Sequence, residues 1–130
     1  MKHRIIFETG LQPKPEPHEI SAAIILADYY KSDVTFLRRG IGNTADFAIK
    51  NVIWELKSPL GDGKRTIANN LRSASRQSKN VVISLSRCKL SNTQAIARIN
   101  NYLKTDNKKI KKILLISKTG EVIDIMKNIR

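Results

Sequence analysis

Three short β-prone segments, Val34 to Leu37, Asp46 to Ile49 and Val52 to Lys57, stand in a row between two stretches of helical periodicity, and that order admits few folds. Ahead of them, His18 to Tyr30 is rich in helix formers and apolar almost all round. Ile20, Ala23, Ile24 and Ala27 form one stripe at helical spacing there, so a buried helix is expected. Behind them, Gly61 and Gly63 mark a loop, and Lys64 to Ser78 repeats Ile67, Leu71 and Ala74 at helical intervals. Val81 to Leu85 is a continuous apolar run suited to an interior strand, and Ser91 to Leu103 reads as a third helix capped by Ser91 or Asn92. Ile113 to Ser117 and Val122 to Met126 flank a Lys-Thr-Gly turn and predict a terminal hairpin. The order helix, three strands, helix, strand, helix, strands is that of an α/β sandwich with a mixed sheet flanked by helices.

The 130 residues suit one domain that buries roughly two thirds of its unfolded surface. Prolines 13, 15 and 17 alternate through Leu11 to Pro17 and hold the chain extended. Residues 1–16 are therefore expected to form an N-terminal segment or arm, and residues 17–130 the domain. Within the arm, Arg4 to Phe7 fits either a short edge strand or a loosely attached tail. The one cysteine, Cys88, has no partner for an intramolecular disulfide, so packing must supply stability. As a catalytic thiol it has only His3 and His18 to serve as base, and an ordinary half-buried position fits it better. No apolar run approaches the roughly 20 residues that span a bilayer, and Met1 to Arg4 lacks the start of a signal peptide. A soluble chain is expected.

Lys and Arg number 24 against 11 Asp and Glu, a formal net charge of +13 that attracts polyanions and speeds their capture. Nucleic acid is the commonest such partner. An anionic membrane surface fits less well, because no basic amphipathic helix carries a bulky aromatic face. Lys104 to Lys112 holds five lysines and reads as a solvated loop.

The chemistry concentrates on one strand. In Val52 to Lys57 side chains alternate, so Val52, Trp54 and Leu56 share one face and Ile53, Glu55 and Lys57 the other. Trp54 belongs with the core. Lys50-Asn51 is short enough for a hairpin turn, which would bring Asp46, at the start of the neighbouring segment, close to Glu55. Two converging carboxylates repel unless a cation sits between them, and hard oxygen ligands suit magnesium or manganese. Such an ion polarises a phosphodiester, while Lys57 orients or activates the attacking water. An isolated E-x-K would read as an exposed ion pair; the strongly apolar strand, the Asp upstream and the very basic chain favour a site.

Asp46, followed after eight residues by Glu55-Leu56-Lys57, resembles the D-x(n)-E-x-K signature of PD-(D/E)xK nucleases, with Ala45 where the family name has proline. The order of elements is similar to the αβββαβ core of that superfamily. His18-Glu19, Thr44 to Phe47, Trp54 to Ser58 and Gln77 before a β-run resemble the C-terminal tRNase domain of CdiA contact-dependent inhibition toxins. The resemblance spans roughly Pro17 to Met126. It implies a metal-dependent nuclease, with tRNA favoured over DNA as substrate, acting in the cytoplasm of a target bacterial cell after delivery within a larger toxin. It also implies a cognate immunity protein, which the +13 charge predicts to be acidic.

The resemblance gives Glu19 a place beside the metal, direct or through water. Its alignment with Ala23, Leu26 and Tyr30 on an apolar face agrees, and so does a simpler role at the positive end of a helix. Arg65, Asn69, Arg72 and Arg76 fall on one helix face opposite Ile67, Leu71 and Ala74, where they can grip phosphates or merely face solvent. Gln77, by the resemblance, points toward the site, or it ends the helix. His18 adjoins Glu19 and is either a first-turn residue or a substrate contact and proton carrier. A DNase on the same scaffold, and a basic binding module without catalysis, are the rival functions; the second gains nothing from three gathered acids.

Overall fold

Pro17 occupies the first position of a helix, where its missing N–H costs nothing and its fixed φ favours the turn. The helix so begun, α1 (Pro17–Tyr30), follows an edge strand β1 (Ile5–Phe7). After it come β2 (Val34–Phe36), β3 (Phe47–Ile49), β4 (Val52–Lys57), α2 (Thr66–Ser75), β5 (Asn80–Ser84), α3 (Asn92–Thr105), β6 (Lys112–Ile116) and β7 (Val122–Asp124). The structure is a computed structural model and describes residues 3–8, 14–38, 45–106 and 109–127. Thr44, one of the residues carrying the resemblance, lies outside them.

The seven strands form one mixed sheet in sequence order. β1 runs parallel to β2, the β2–β3 and β3–β4 pairs are antiparallel, β5 lies parallel to β4 and to β6, and β7 closes antiparallel to β6. From α1 to β5 the order is αβββαβ, so the expected α/β architecture with a mixed sheet holds. Of Arg4 to Phe7, the residues Ile5–Phe7 form the edge strand, paired with Val34 to Phe36.

Helices cover both faces. One core gathers Ala22, Ala23, Leu26 and Ala27 of α1 against Val34, Phe36, Phe47, Trp54, Leu56, Val82 and Leu114. The other gathers Ile67, Leu71 and Ala74 of α2 and Ala95, Ile99 and Tyr102 of α3 against Val81, Ile83, Ile113 and Leu115. Alternate residues of β5 serve opposite cores, which is why its sequence is apolar without a break. Of the two candidate caps, Ser91 is the one that caps α3: its hydroxyl accepts the Gln94 N–H at 3.2 Å while Gln94 Oε1 accepts the Ser91 N–H at 3.0 Å.

Some expectations need correction. The first helix is not buried all round: Ile24 is 49% exposed, because α1 packs on the sheet by the face of Ala22, Ala23, Leu26 and Ala27, with Ile20, Ile25 and Tyr30 at its margins. The second helix is shorter than Lys64 to Ser78. Arg65 is its N-cap, and at its end Gln77 N–H bonds to the Ala74 carbonyl in a tight closing turn, so Gln77 lies just past the helix. Asp46 immediately precedes β3 and does not begin it.

Candidate active site

The β3–β4 turn sets the site. Lys50 and Asn51 both have positive φ, 50° and 68°, the condition for a two-residue type I′ turn whose twist matches the strands. It pairs Ile49 with Val52, Ala48 with Ile53 and Phe47 with Trp54, which leaves Asp46 beside Glu55 at the open end. Two hydrogen bonds continue the pairing there. Asp46 N–H donates to the Trp54 carbonyl at 3.0 Å, and Leu56 N–H donates to Asp46 Oδ2 at 2.8 Å.

Trp54 and Leu56 join the α1-side core, so alternation turns Glu55 and Lys57 toward the face that α2 and α3 cover. Glu55 stands in register with Val81 and Lys57 with Ile83, both fully buried. Asp46 and Glu55 are 7% and 6% exposed, the only buried acidic residues among those described. Lys57 Nζ lies 3.3 Å from Glu55 Oε2, whereas Glu55 Oε1 is buried without a hydrogen-bond partner.

Electrostatics follow from this crowding. Burial pushes the Glu55 carboxyl up to about 7, the Asp46 carboxyl adds to the rise, and the Lys57 ammonium opposes it. Two buried carboxylates against one ammonium leave the site short of positive charge. An oxygen donor with nothing to bind, beside a second carboxylate, is the chemistry that accepts a hard divalent cation.

The structure thus brings Asp46, Glu55 and Lys57 together. Glu19 sits in the first turn of α1, on the helix that packs against the opposite face of the sheet, and its Oε1 accepts the Glu16 N–H at 2.8 Å. Among the described residues no group of three or more His, Cys, Asp or Glu side chains gathers as a metal cluster. His18 shares that turn, its Nε2 3.6 Å from Glu16 Oε2. Arg65, Asn69, Arg72 and Arg76 are exposed along α2, and Arg72 also bonds to Asn69 Oδ1 at 3.1 Å and to Asp106. Cys88 is buried, its thiol 3.4 Å from the Gly61 carbonyl.

Two arginines that the sequence did not single out hold the loop after Lys57. Arg87 donates from Nε to Ser58 Oγ at 3.2 Å and from Nη2 to the Ser58 carbonyl at 3.0 Å. Arg98 of α3 donates from Nη1 to the Asp62 and Gly63 carbonyls at 3.1 and 2.7 Å. Both contacts join residues far apart in the chain, so no local spacing announces them. Part of the positive charge therefore serves the scaffold.

No helix among the described residues is long and apolar enough to cross a membrane. No curated protein matches the sequence. Among solved structures the chain is similar to one described as a CdiA-CT/CdiI toxin and immunity complex from Burkholderia pseudomallei, with a TM-score of 0.66, 23% identity, and coverage of 93% of this chain and 97% of that one. At that identity the likeness is one of fold. Residues 43–122, which include Asp46, Glu55, Lys57 and the whole of α2, match the family described as the contact-dependent growth inhibition CdiA C-terminal domain, and the chain belongs to that family.

Proposed function

We propose that the chain is a metal-dependent endonuclease of the PD-(D/E)xK type, the toxic domain of a contact-dependent inhibition system, which cleaves RNA and tRNA in particular. The observation that carries this is the buried Asp46–Glu55 pair with Lys57 beside it and Glu55 Oε1 left without a partner. A fold that gained nothing from this pair would be more stable with a neutral residue in place of either acid.

Asp46 and Glu55 would hold magnesium or manganese, and Glu19, in the first turn of α1, is the third acid that the resemblance assigns to the ion. Such an ion, when bound, polarises the scissile phosphodiester and stabilises the charge that develops on it. The chain's own groups do the rest. Leu56 N–H fixes the Asp46 carboxylate, so its position does not depend on a side-chain rotamer alone. Lys57, held by Glu55 and 24% exposed at its side chain, reaches the surface where a phosphate arrives and orients or activates the attacking water. Arg65, Arg72 and Arg76 bind flanking phosphates, with Gln77 and His18 assigned to further substrate contacts. The +13 charge draws the polyanion in.

The family's role in growth inhibition and the complex in which the similar structure was solved support a cognate immunity protein, acidic to complement this surface, and action in the cytoplasm of a target cell. The substrate test is direct. Purified chain is incubated with total RNA, isolated tRNA and plasmid DNA, each with magnesium or EDTA. Magnesium-dependent loss of tRNA supports the proposal; loss of plasmid alone assigns a DNase on the same scaffold, and no cleavage of any substrate overturns catalysis.

A further inference from the structure

α2 and α3 flank a groove of about 300 Å³ whose lining includes Lys64, Arg65, Asn69, Arg72, Thr105 and Asp106. We infer that this groove is a binding site for the phosphodiester backbone of RNA, in which Asp106 is an internal counter-charge that an incoming phosphate displaces from Arg72. The inference deepens the nuclease reading and rests on it for the identity of the ligand.

Three cations, Lys64, Arg65 and Arg72, and the neutral polar groups of Asn69, Asn101 and Thr105 face one concave space, and only Asp106 opposes them in charge. Cations with neutral donors between them match a chain of phosphates and sugars. A protein partner would want an apolar anchor, but the one aromatic lining residue, Tyr102, is 4% exposed and committed to the α2–α3 core.

Asp106 is the C-cap residue of α3, the negative end of the helix, where a carboxylate is disfavoured. What holds it is Arg72, whose Nη2 donates to Asp106 Oδ2. The two side chains are 48% and 49% exposed, so the pair contributes little to stability and is open to competition. A phosphate offers Arg72 the same bidentate geometry with more charge. The groove also has a fixed relation to the catalytic strand. Lys64 follows Lys57 by a seven-residue step, and Arg98 of α3 clamps the intervening loop at Asp62 and Gly63.

The test measures binding of a fluorescein-labelled 20-nucleotide RNA hairpin by anisotropy in EDTA, so that cleavage plays no part, for the full chain and three variants at several salt concentrations. Asp106→Asn is expected to tighten binding three- to tenfold at low salt and to steepen the dependence of log affinity on log salt by about one ion. Lys64→Gln is expected to weaken binding and flatten the slope, and Asp106→Glu, which keeps the pair, to match the parent. All should melt as the parent does. Unchanged or weaker RNA binding by Asp106→Asn overturns the inference. So does an Asp106→Asn gain for labelled poly-glutamate that RNA does not show, which would make the groove a site for an acidic protein. Failure of the nuclease reading looks different: no magnesium-dependent cleavage, with the Asp106→Asn shift intact.

Discussion

Leu56 N–H donates to Asp46 Oδ2 at 2.8 Å, so the backbone of the strand that carries Glu55 also fixes the second carboxylate of the site. One oxygen of Asp46 is thereby committed to the fold. Glu55 is the reverse: Oε2 pairs with Lys57 and Oε1 has no hydrogen-bond partner. The pair is held in place by Leu56 N–H and Lys57 and is electrostatically unfavourable while both carboxyls are charged.

That cost makes stability depend on pH. Glu55 titrates near 7 in the fold against an ordinary 4.5, so between those values the folded chain keeps a proton that the unfolded chain releases. Stability from this group therefore falls as pH rises from about 4.5 through 7 and is lowest above 7. At about 1.4 kcal/mol per pKa unit the charged state costs roughly 3 kcal/mol. Without metal, Glu55→Gln should melt above the parent at pH 8 and level with it near pH 4.5, and it should have no nuclease activity. Thermal melts at the two pH values check this; a Glu55→Gln variant less stable at pH 8 would contradict it.

Lys57 should matter for turnover more than for metal affinity. Lys57→Ala is expected to lower cleavage by roughly 10²-fold or more, the scale of lost acid–base or electrostatic assistance. Its manganese affinity at pH 8 should stay near that of the parent, and fall more steeply toward pH 6 because Glu55 loses the cation that opposes its rise. Calorimetric titration at both pH values, run beside the cleavage assay, separates these effects. Loss of binding at pH 8 would make Lys57 a structural part of the site.

Lys50 and Asn51 are non-glycine residues at positive φ in the turn that sets the Asp46–Glu55 register. Replacing the pair by Asn-Gly, the sequence that such a turn prefers, should stabilise the chain by about 1 kcal/mol and raise the melting temperature by a few degrees. Activity should be unchanged. A lower melting temperature would show that these side chains stabilise the turn by other means.

Much of the scaffold was legible because it obeys local periodicities. Ile67, Leu71 and Ala74 at helical spacing, the unbroken run at Val81 and the helix after Ser91 all fall where the pattern puts them. Asp46, Glu55 and Lys57 could be read together because a two-residue turn converts sequence order into contact. Where the pattern failed, the cause was tertiary. Ile24 continues an apolar stripe but faces away from the one sheet surface that α1 covers. Arg72 with Asp106, and Arg98 with Gly63, meet across more than thirty residues, and only the packing of α3 on α2 and its preceding loop brings them together.

The immunity partner is expected to compete with substrate. An acidic inhibitor that covers the Asp46–Glu55 site or the Arg65, Arg72 and Arg76 face should displace RNA from inactive Glu55→Gln chain, and its affinity should fall as salt rises. Anisotropy competition at two salt concentrations checks this. Simultaneous binding of both, or an affinity indifferent to salt, would place the inhibitor elsewhere.

Titration calorimetry of manganese into the metal-free chain at pH 8 tests the central claim most directly. The account predicts binding that is abolished or reduced at least tenfold by Asp46→Asn and by Glu55→Gln, with both variants folded. Parent-like affinity in the two variants, or no heat of binding in the parent, would contradict a metal site at this pair.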